Sequence, residues 1–267
     1  MELYKLIQPS VKRVPVLLSI PHAETFFPSD LRDEFKEKLL PPDDTDWFVD
    51  QLYDFAPSLG ITVISANHSR WIIDLNRNPN AVPLYNDGRL ITGLCPATNF
   101  LGTPIYKDER ILVEDKEIER RTKLYFEPYH QKIQDLTDDL KAEFGSVLLW
   151  DCHSIRRMVP TISSVAFPDL ILGTADGTSA DPAFISAALD VLSKGFNVSH
   201  NSPFKGGFIT RRFGQPEKSL HALQLEMSKD IYMDNSETRY DEQRAEKIQL
   251  TLKKCLNNLI NLLKHNK

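Results

Sequence analysis

The sequence predicts an α/β fold, on three observations. Val147-Leu148-Leu149-Trp150 is an unbroken apolar run that stops on Asp151-Cys152-His153-Ser154. That is the pattern of an inner strand buried on both faces, with its polar end where open α/β sheets place their sites. Residues 14–66 read strand, loop, helix, strand, the opening of an α/β sheet. The chain also closes on an amphipathic helix, 244–263, able to cover one face of such a sheet.

Composition narrows the class. A chain of 267 residues with 41% hydrophobic and 26% charged residues is an ordinary globular protein, long enough for a sizeable core. We expect a single domain over 1–267. A net charge of −5 gives no basic footprint, so nucleic acid is not expected as a partner. No apolar run approaches the roughly 20 residues needed to span a bilayer, and the N-terminus lacks a signal peptide's pattern. Cys95, Cys152 and Cys255 are too few and scattered for a disulfide framework or a four-thiolate site, so a reducing cytoplasm fits best.

Taken in order, Val14–Ile20 is a short apolar strand ending at Pro21-His22, with proline where no ladder donor is needed. The acidic turn Asp43-Asp44-Thr45-Asp46 leads into a helical pattern over 48–55, with Thr45 or Asp44 as its cap. Gly60 ends that unit and Ile61–Ala66 is the next strand. Trp71–Arg77 reads as a fourth strand finishing on Asn76-Arg77. From Asn78 to Arg110 the chain is loop-rich, with Pro79, Pro83, Pro96 and Pro104, and loops of that length tend to be binding loops or lids. Val113–Phe144 is helical, in two pieces broken at Pro128.

After the inner strand, Leu170–Thr174 is a short strand, and Asp181-Pro182 opens a helix running through Leu192. Val198–Asn201 begins another strand, and Phe204–Arg212 crosses a glycine-rich turn. Ser219–Met227 alternates apolar and polar as a half-buried strand, placing Gln224 and Glu226 on one face. In the terminal helix, Ile248, Leu250, Leu252, Cys255, Leu256, Leu259, Leu262 and Leu263 form the apolar stripe.

Three strand ends therefore carry His22, His153 and Glu226. Two histidines and a carboxylate match a catalytic zinc site with three protein ligands and an open position, and the 43–46 turn offers an oxygen ligand. Zinc lowers the pKa of its water from about 15.7 to about 7. A nearby carboxylate must then move the proton, and Glu226 is the candidate. Each residue alone has a plainer reading: a solvated loop for His22, an exposed strand position for Glu226. Cys152 lacks any feature that would activate a thiol.

The chain is similar to the N-formylglutamate amidohydrolase family over nearly its full length. The matching segments include Pro-His-Ala at 21–23, Thr-Asp-Trp at 45–47 and Asp-Leu-Asn-Arg at 74–77. Further on come Leu-Trp-Asp-Cys-His-Ser-Ile-Arg at 149–156, Phe-Lys-Gly-Gly-Phe-Ile-Thr-Arg at 204–211 and Gln-Leu-Glu at 224–226. The resemblance implies a three-layer α/β/α sandwich around a mixed, mostly parallel sheet, phosphorylase/hydrolase-like and related to the zinc carboxypeptidases. It also implies zinc-dependent hydrolysis of N-formyl-L-glutamate, a small dicarboxylate, in histidine degradation. The relatives' His-x-x-Glu pair is not kept, because Thr25 follows His22 at that spacing. The ligand set is therefore placed at His22, Asp46 and His153, with Glu24 and Asp44 as alternatives for the acid. One zinc ion per chain is expected, with other divalent metals as substitutes. Asn76 and Arg77 correspond to the relatives' carboxylate grip, since a guanidinium fork suits a planar carboxylate. Arg156, Lys205 and Arg211 are candidates for the second carboxylate, and Gly206-Gly207 would let backbone amides approach it.

Overall fold

Short β-branched and leucine-rich runs, each bounded by polar or turn residues, build one seven-stranded sheet. The computed structural model describes residues 2–80, 84–85 and 88–265; Pro83 and its neighbours at 81–82 and 86–87 lie outside the described residues. The strands are β1 (Tyr4–Ile7), β2 (Val16–Ile20), β3 (Thr62–Ala66), β4 (Val147–Ile155), β5 (Leu170–Gly173), β6 (Val198–His200) and β7 (Leu220–Ser228), in the order β1-β3-β2-β4-β7-β5-β6. The pairs β2–β3, β2–β4, β4–β7 and β5–β6 are parallel; β1–β3 and β5–β7 are antiparallel.

Because side chains alternate across a strand, the sheet feeds two cores. Val16, Leu18, Ile20, Leu148, Trp150 and Cys152 point to one, which the later helices close with Phe184, Ala188, Ile248, Leu252, Leu256 and Leu259. Leu17, Ile64, Val147 and Leu149 point to the other, with Tyr129, Ile133, Leu140, Ile209 and Phe213. Helices thus cover both faces, as the sequence implied. In chain order they are α1 (Ser29–Arg32), α2 (Val49–Leu52), α3 (Asp115–Arg121), α4 (Glu127–Phe144), α5 (Pro182–Leu192), α6 (Phe208–Phe213) and α7 (Glu242–His265).

Several local expectations are corrected. Trp71–Arg77 is not a strand: it turns, and Trp71, Ile72, Ile73 and Leu75 are apolar because they fill the second core. Residues 113–144 are not cut at Pro128; a π-helical turn, Thr122–Phe126, joins α3 to α4 just before the proline, whose missing N–H and ring oppose a regular turn. Neither Thr45 nor Asp44 caps α2, which starts from Phe48 in the left-handed region at φ 61°. The glycine-rich stretch after Phe204 contains α6, and β7 is buried along almost its whole length rather than on one face. Leu250 leaves the apolar stripe of α7, being 60% exposed. The edge strand β1 was missed because four residues, mostly half-buried, carry little pattern. Asp181 does cap α5, accepting from the Ala183 N–H at 2.8 Å. Cys95, Cys152 and Cys255 are all unpaired and buried. No helix among the described residues is long and apolar enough to cross a membrane.

Candidate metal centre

The three central strands β2, β4 and β7 are neighbours, so their carboxyl ends lie side by side. His153 and Glu226 face each other in register across β4 and β7, and His22 follows β2 by two residues. Asp46 comes from the acidic turn, tied in by its backbone N–H donating to the His22 carbonyl at 3.0 Å. His22, Asp46 and His153 each offer one ligand atom, all within 4.8 Å of one another and all buried.

Both rings present Nδ1 to the same oxygen. Asp46 Oδ2 is 3.0 Å from His153 Nδ1 and 3.7 Å from His22 Nδ1. Behind each ring stands a second carboxylate: His22 Nε2 is 3.0 Å from Asp74 Oδ1, and His153 Nε2 is 3.1 Å from Asp151 Oδ2. Carboxylates behind metal-binding histidines fix ring orientation and raise ligand basicity.

Burial and the neighbouring charges set the direction in which each group is shifted. Burial pushes the Asp46 carboxyl up, but the His153 hydrogen bond and the positive charges of His153, His22 and Arg70 outweigh it and hold it below the usual range. Burial likewise opposes charge on Asp74, yet Arg70, His22 and Arg77 hold it well below its ordinary value. His153 is lowered by burial but raised further by Asp151 and Asp46, ending well above the ordinary histidine value. His22 is lowered, by burial and by Arg70.

These residues fit a divalent cation. His22 Nδ1 is buried with no hydrogen-bond partner, and it faces the buried Asp46 carboxylate at 3.7 Å. A buried polar atom left unpaired is costly, so an imidazole nitrogen without a partner beside a buried carboxylate fits a cation that would satisfy both. Two imidazoles and one carboxylate are also a donor set that zinc accepts, with a position left open. Of the alternative acids, Asp44 is committed elsewhere: it accepts from the Trp71 indole at 2.9 Å and from the Phe100 N–H at 3.2 Å. Glu24 is not part of the cluster.

A cleft reaches two members of the cluster, His22 and His153, and is lined as well by Arg70, Asp74, Asn76, Arg77, Gln224 and Glu226. Glu226 is half-buried, and none of the described residues donates a hydrogen bond to it. Burial, with the Asp46 and Asp151 charges adding to it, pushes its carboxyl up to about 8 against His153 and Arg70. Asn76 is held on three sides: Nδ2 is 2.9 Å from His153 Nε2, Nδ2 donates to Gln224 Oε1 at 3.2 Å, and Oδ1 accepts from the Ile209 N–H at 2.8 Å. Gly207 packs against that carboxamide and donates its N–H to Gln224 Oε1 at 2.8 Å. Arg77 donates to Thr92 at 3.2 Å and lines both this cleft and an adjoining one.

The remaining sequence candidates are spread out. Arg156 is turned away, donating to Asp43 at 2.6 Å and to Glu237 at 2.8 Å, and it lines neither cleft. Lys205 pairs with Asp176 at 3.0 Å and also lies off both. Arg211 lines the adjoining cleft, its Nε donating to the Gly206 carbonyl at 3.0 Å. Cys152 is fully buried, and burial holds its thiol well above its ordinary pKa.

Sequence reasoning missed Arg70, whose guanidinium donates to Asp74 at 2.8 Å and reaches Asp46 at 3.5 Å. It also assigned no role to Asp74, although the residue stands in the quoted Asp-Leu-Asn-Arg segment. Arg89 and Tyr85 were passed over too; both line the cleft, the guanidinium 3.9 Å from the ring centre. An arginine that close to an acidic cluster leaves no local pattern, so only the fold brings these groups into view.

Comparison with known proteins bears on the family. The sequence profile described as N-formylglutamate amidohydrolase matches residues 14–233. The chain is 41% identical to an N-formylglutamate deformylase of Pseudomonas putida over 251 residues, 93% of each chain. It is 40% identical to the one of Pseudomonas aeruginosa, also over 251 residues and 93% of each. A solved N-formylglutamate amidohydrolase from Ralstonia eutropha superposes with a TM-score of 0.76 at 25% identity, covering 99% of this chain and 98% of that one. A gene product of Agrobacterium tumefaciens shares the fold, with a TM-score of 0.72 at 16% identity over 97% and 96% of the two chains.

Proposed function

The chain belongs to the N-formylglutamate amidohydrolase family, and on that premise we propose that it hydrolyses N-formyl-L-glutamate to formate and L-glutamate, using zinc held by His22, Asp46 and His153. The observation that carries the residue assignment is the convergence of those three buried side chains, two of which, His22 and His153, line the same cleft as Glu226. Bound there, zinc would supply a Lewis acid for the formyl oxygen and bring the ionisation of water to about pH 7.

The chain's own residues do the rest. Asp74 and Asp151 stand 3.0 and 3.1 Å from the Nε2 atoms of the two imidazoles, on the side away from Nδ1. Glu226 takes a proton from the attacking water and delivers it to the amide nitrogen. The water oxygen joins the formyl carbon, the C–N bond breaks, and the products leave as formate and the free amine of glutamate. Burial raises the Glu226 carboxyl to about 8 in the metal-free chain, and the positive charge of a bound cation would lower it toward the range in which a carboxylate both accepts and returns a proton near neutrality. Asn76, locked by Ile209 and Gln224, keeps its amide against His153 and forms the wall on which the substrate lies.

The substrate's two carboxylates require two cations. Arg77, shared by the two clefts, takes one. The second falls to Arg211 in the adjoining cleft or to Arg89 in the first, both better placed than Arg156 and Lys205.

Rates of deacylation of N-formyl-L-glutamate, N-formyl-L-aspartate, N-acetyl-L-glutamate and N-formyl-L-leucine test this reading. N-formyl-L-glutamate should be preferred, and Arg211→Ala and Arg89→Ala should differ in the KM they lose. Equal rates on the glutamate and leucine compounds would remove the carboxylate grip, and no formate from any of them would remove the activity.

A further inference from the structure

Arg70 stands just after β3, only 8% exposed, and its fork spans two carboxylates, Asp46 of the cluster and Asp74 behind His22. Nη2 donates to Asp74 Oδ2 at 2.8 Å, while Nη1 reaches Asp46 Oδ1 at 3.5 Å and the Asp44 carbonyl at 3.4 Å. The Phe100 ring covers the guanidinium, with its centre 4.6 Å from the central carbon. Asp44 reinforces the arrangement by holding Trp71, the next residue in the chain, and the backbone of Phe100.

The two carboxylates divide their oxygens the same way. Asp46 turns Oδ1 to Arg70 and Oδ2 to the Nδ1 atoms of His153 and His22. Asp74 turns Oδ2 to Arg70 and Oδ1 to His22 Nε2. One guanidinium thus orients a candidate ligand and, through Asp74, the ring of another. We infer that Arg70 is a positioning residue that presents Asp46 to the metal through Oδ2 alone and keeps Asp46 and His22 in fixed relation. This rests on the metal assignment made above. With Asp46 Oδ1 turned to Arg70, the carboxylate would give the ion one bond and leave a position for water and substrate. A lysine would keep the charge but not the planar fork, so charge and geometry can be separated.

The test uses the whole chain, stripped of metal and titrated with Zn2+ against a chromophoric chelator at fixed pH. Arg70→Lys should bind zinc about 10–100-fold more weakly, the usual effect of losing a partner behind a metal ligand. Its metal-free melting temperature, measured alongside, should stay close to that of the unaltered chain. A crystal structure of the unaltered zinc-loaded protein supplies a second readout that does not depend on any variant folding. It should show Asp46 bound through Oδ2 only, with Oδ1 still on Arg70. Unchanged zinc affinity in Arg70→Lys, or both Asp46 oxygens on the ion, overturns the inference while leaving the metal site standing. A chain that binds no zinc overturns the metal assignment and this inference together. Neither readout depends on which formyl compound is turned over.

Discussion

His153 lies with Nδ1 3.0 Å from Asp46 Oδ2 and Nε2 3.1 Å from Asp151 Oδ2, a ring held between two buried carboxylates. One partner comes from the same strand and the other from a turn far away in the chain. Only the side facing Asp46 also faces His22, which makes Asp46 the meeting point of the cluster. Asp46→Asn keeps the shape but removes the charge that attracts a cation. Zinc content should fall from near one per chain to a small fraction, with affinity lowered by at least the ~10–100-fold typical of outer partners. Metal analysis after gel filtration measures it, and a fully loaded Asp46→Asn protein would show that the acid is not a ligand.

Glu226→Gln should leave zinc content and KM close to normal while kcat drops by about 10²–10⁴, the range for losing a general acid–base group. A structural role alone would not separate the two constants. Near-full kcat in this variant would remove Glu226 from the proton path.

Gly207→Ala should cost activity out of proportion to its size. An added Cβ would lie 2.5 Å from the Asn76 Cγ and Oδ1 atoms, and that carboxamide is bonded to Ile209, Gln224 and the His153 ring. Overpacking of this kind costs about 1–3 kcal/mol, and here the group that must move touches His153, a proposed metal ligand. A melting curve and a kcat measured together decide it; wild-type kcat would mean Asn76 is free to shift.

His130 gives the acid side of the stability profile. Burial among Phe126, Phe208 and Phe213 lowers its pKa from 6.5 to about 3, against the opposing bond to the Leu75 carbonyl. The folded value lies below the unfolded one, so the unfolded chain takes up the proton first. Its contribution is complete above pH 6.5 and is lost as pH falls toward 3. His130→Gln removes the titrating group and should flatten the fall in unfolding free energy between pH 7 and pH 4. An unchanged slope in urea titrations would assign that fall to other groups.

How far the site could be read from the sequence follows from where its parts lie. His22, His153 and Glu226 were visible because inner strands announce themselves as apolar runs, and their ends are where polar groups gather. Asp46 was reached only with the family resemblance, since Asp43 and Asp44 look equivalent in the chain; the fold separates them by giving Asp44 to Trp71 and Phe100 and Asp43 to Arg156. Trp71–Arg77 misled because a buried turn and a buried strand share an apolar composition. Arg156 adjoins the inner strand in sequence but points at Asp43 and Glu237. Arg70 works through contacts to Asp46 and Asp74 that periodicity does not encode.

The central claim is that His22, Asp46 and His153 hold a metal ion on which formate release depends. Formate release from N-formyl-L-glutamate, followed in the purified chain, then in the chelator-stripped chain, then after adding back one equivalent of Zn2+, tests it most directly. The account predicts activity that disappears with the metal and returns near one zinc per chain, with no return in His153→Ala. Full activity in chain shown by elemental analysis to be metal-free would contradict it.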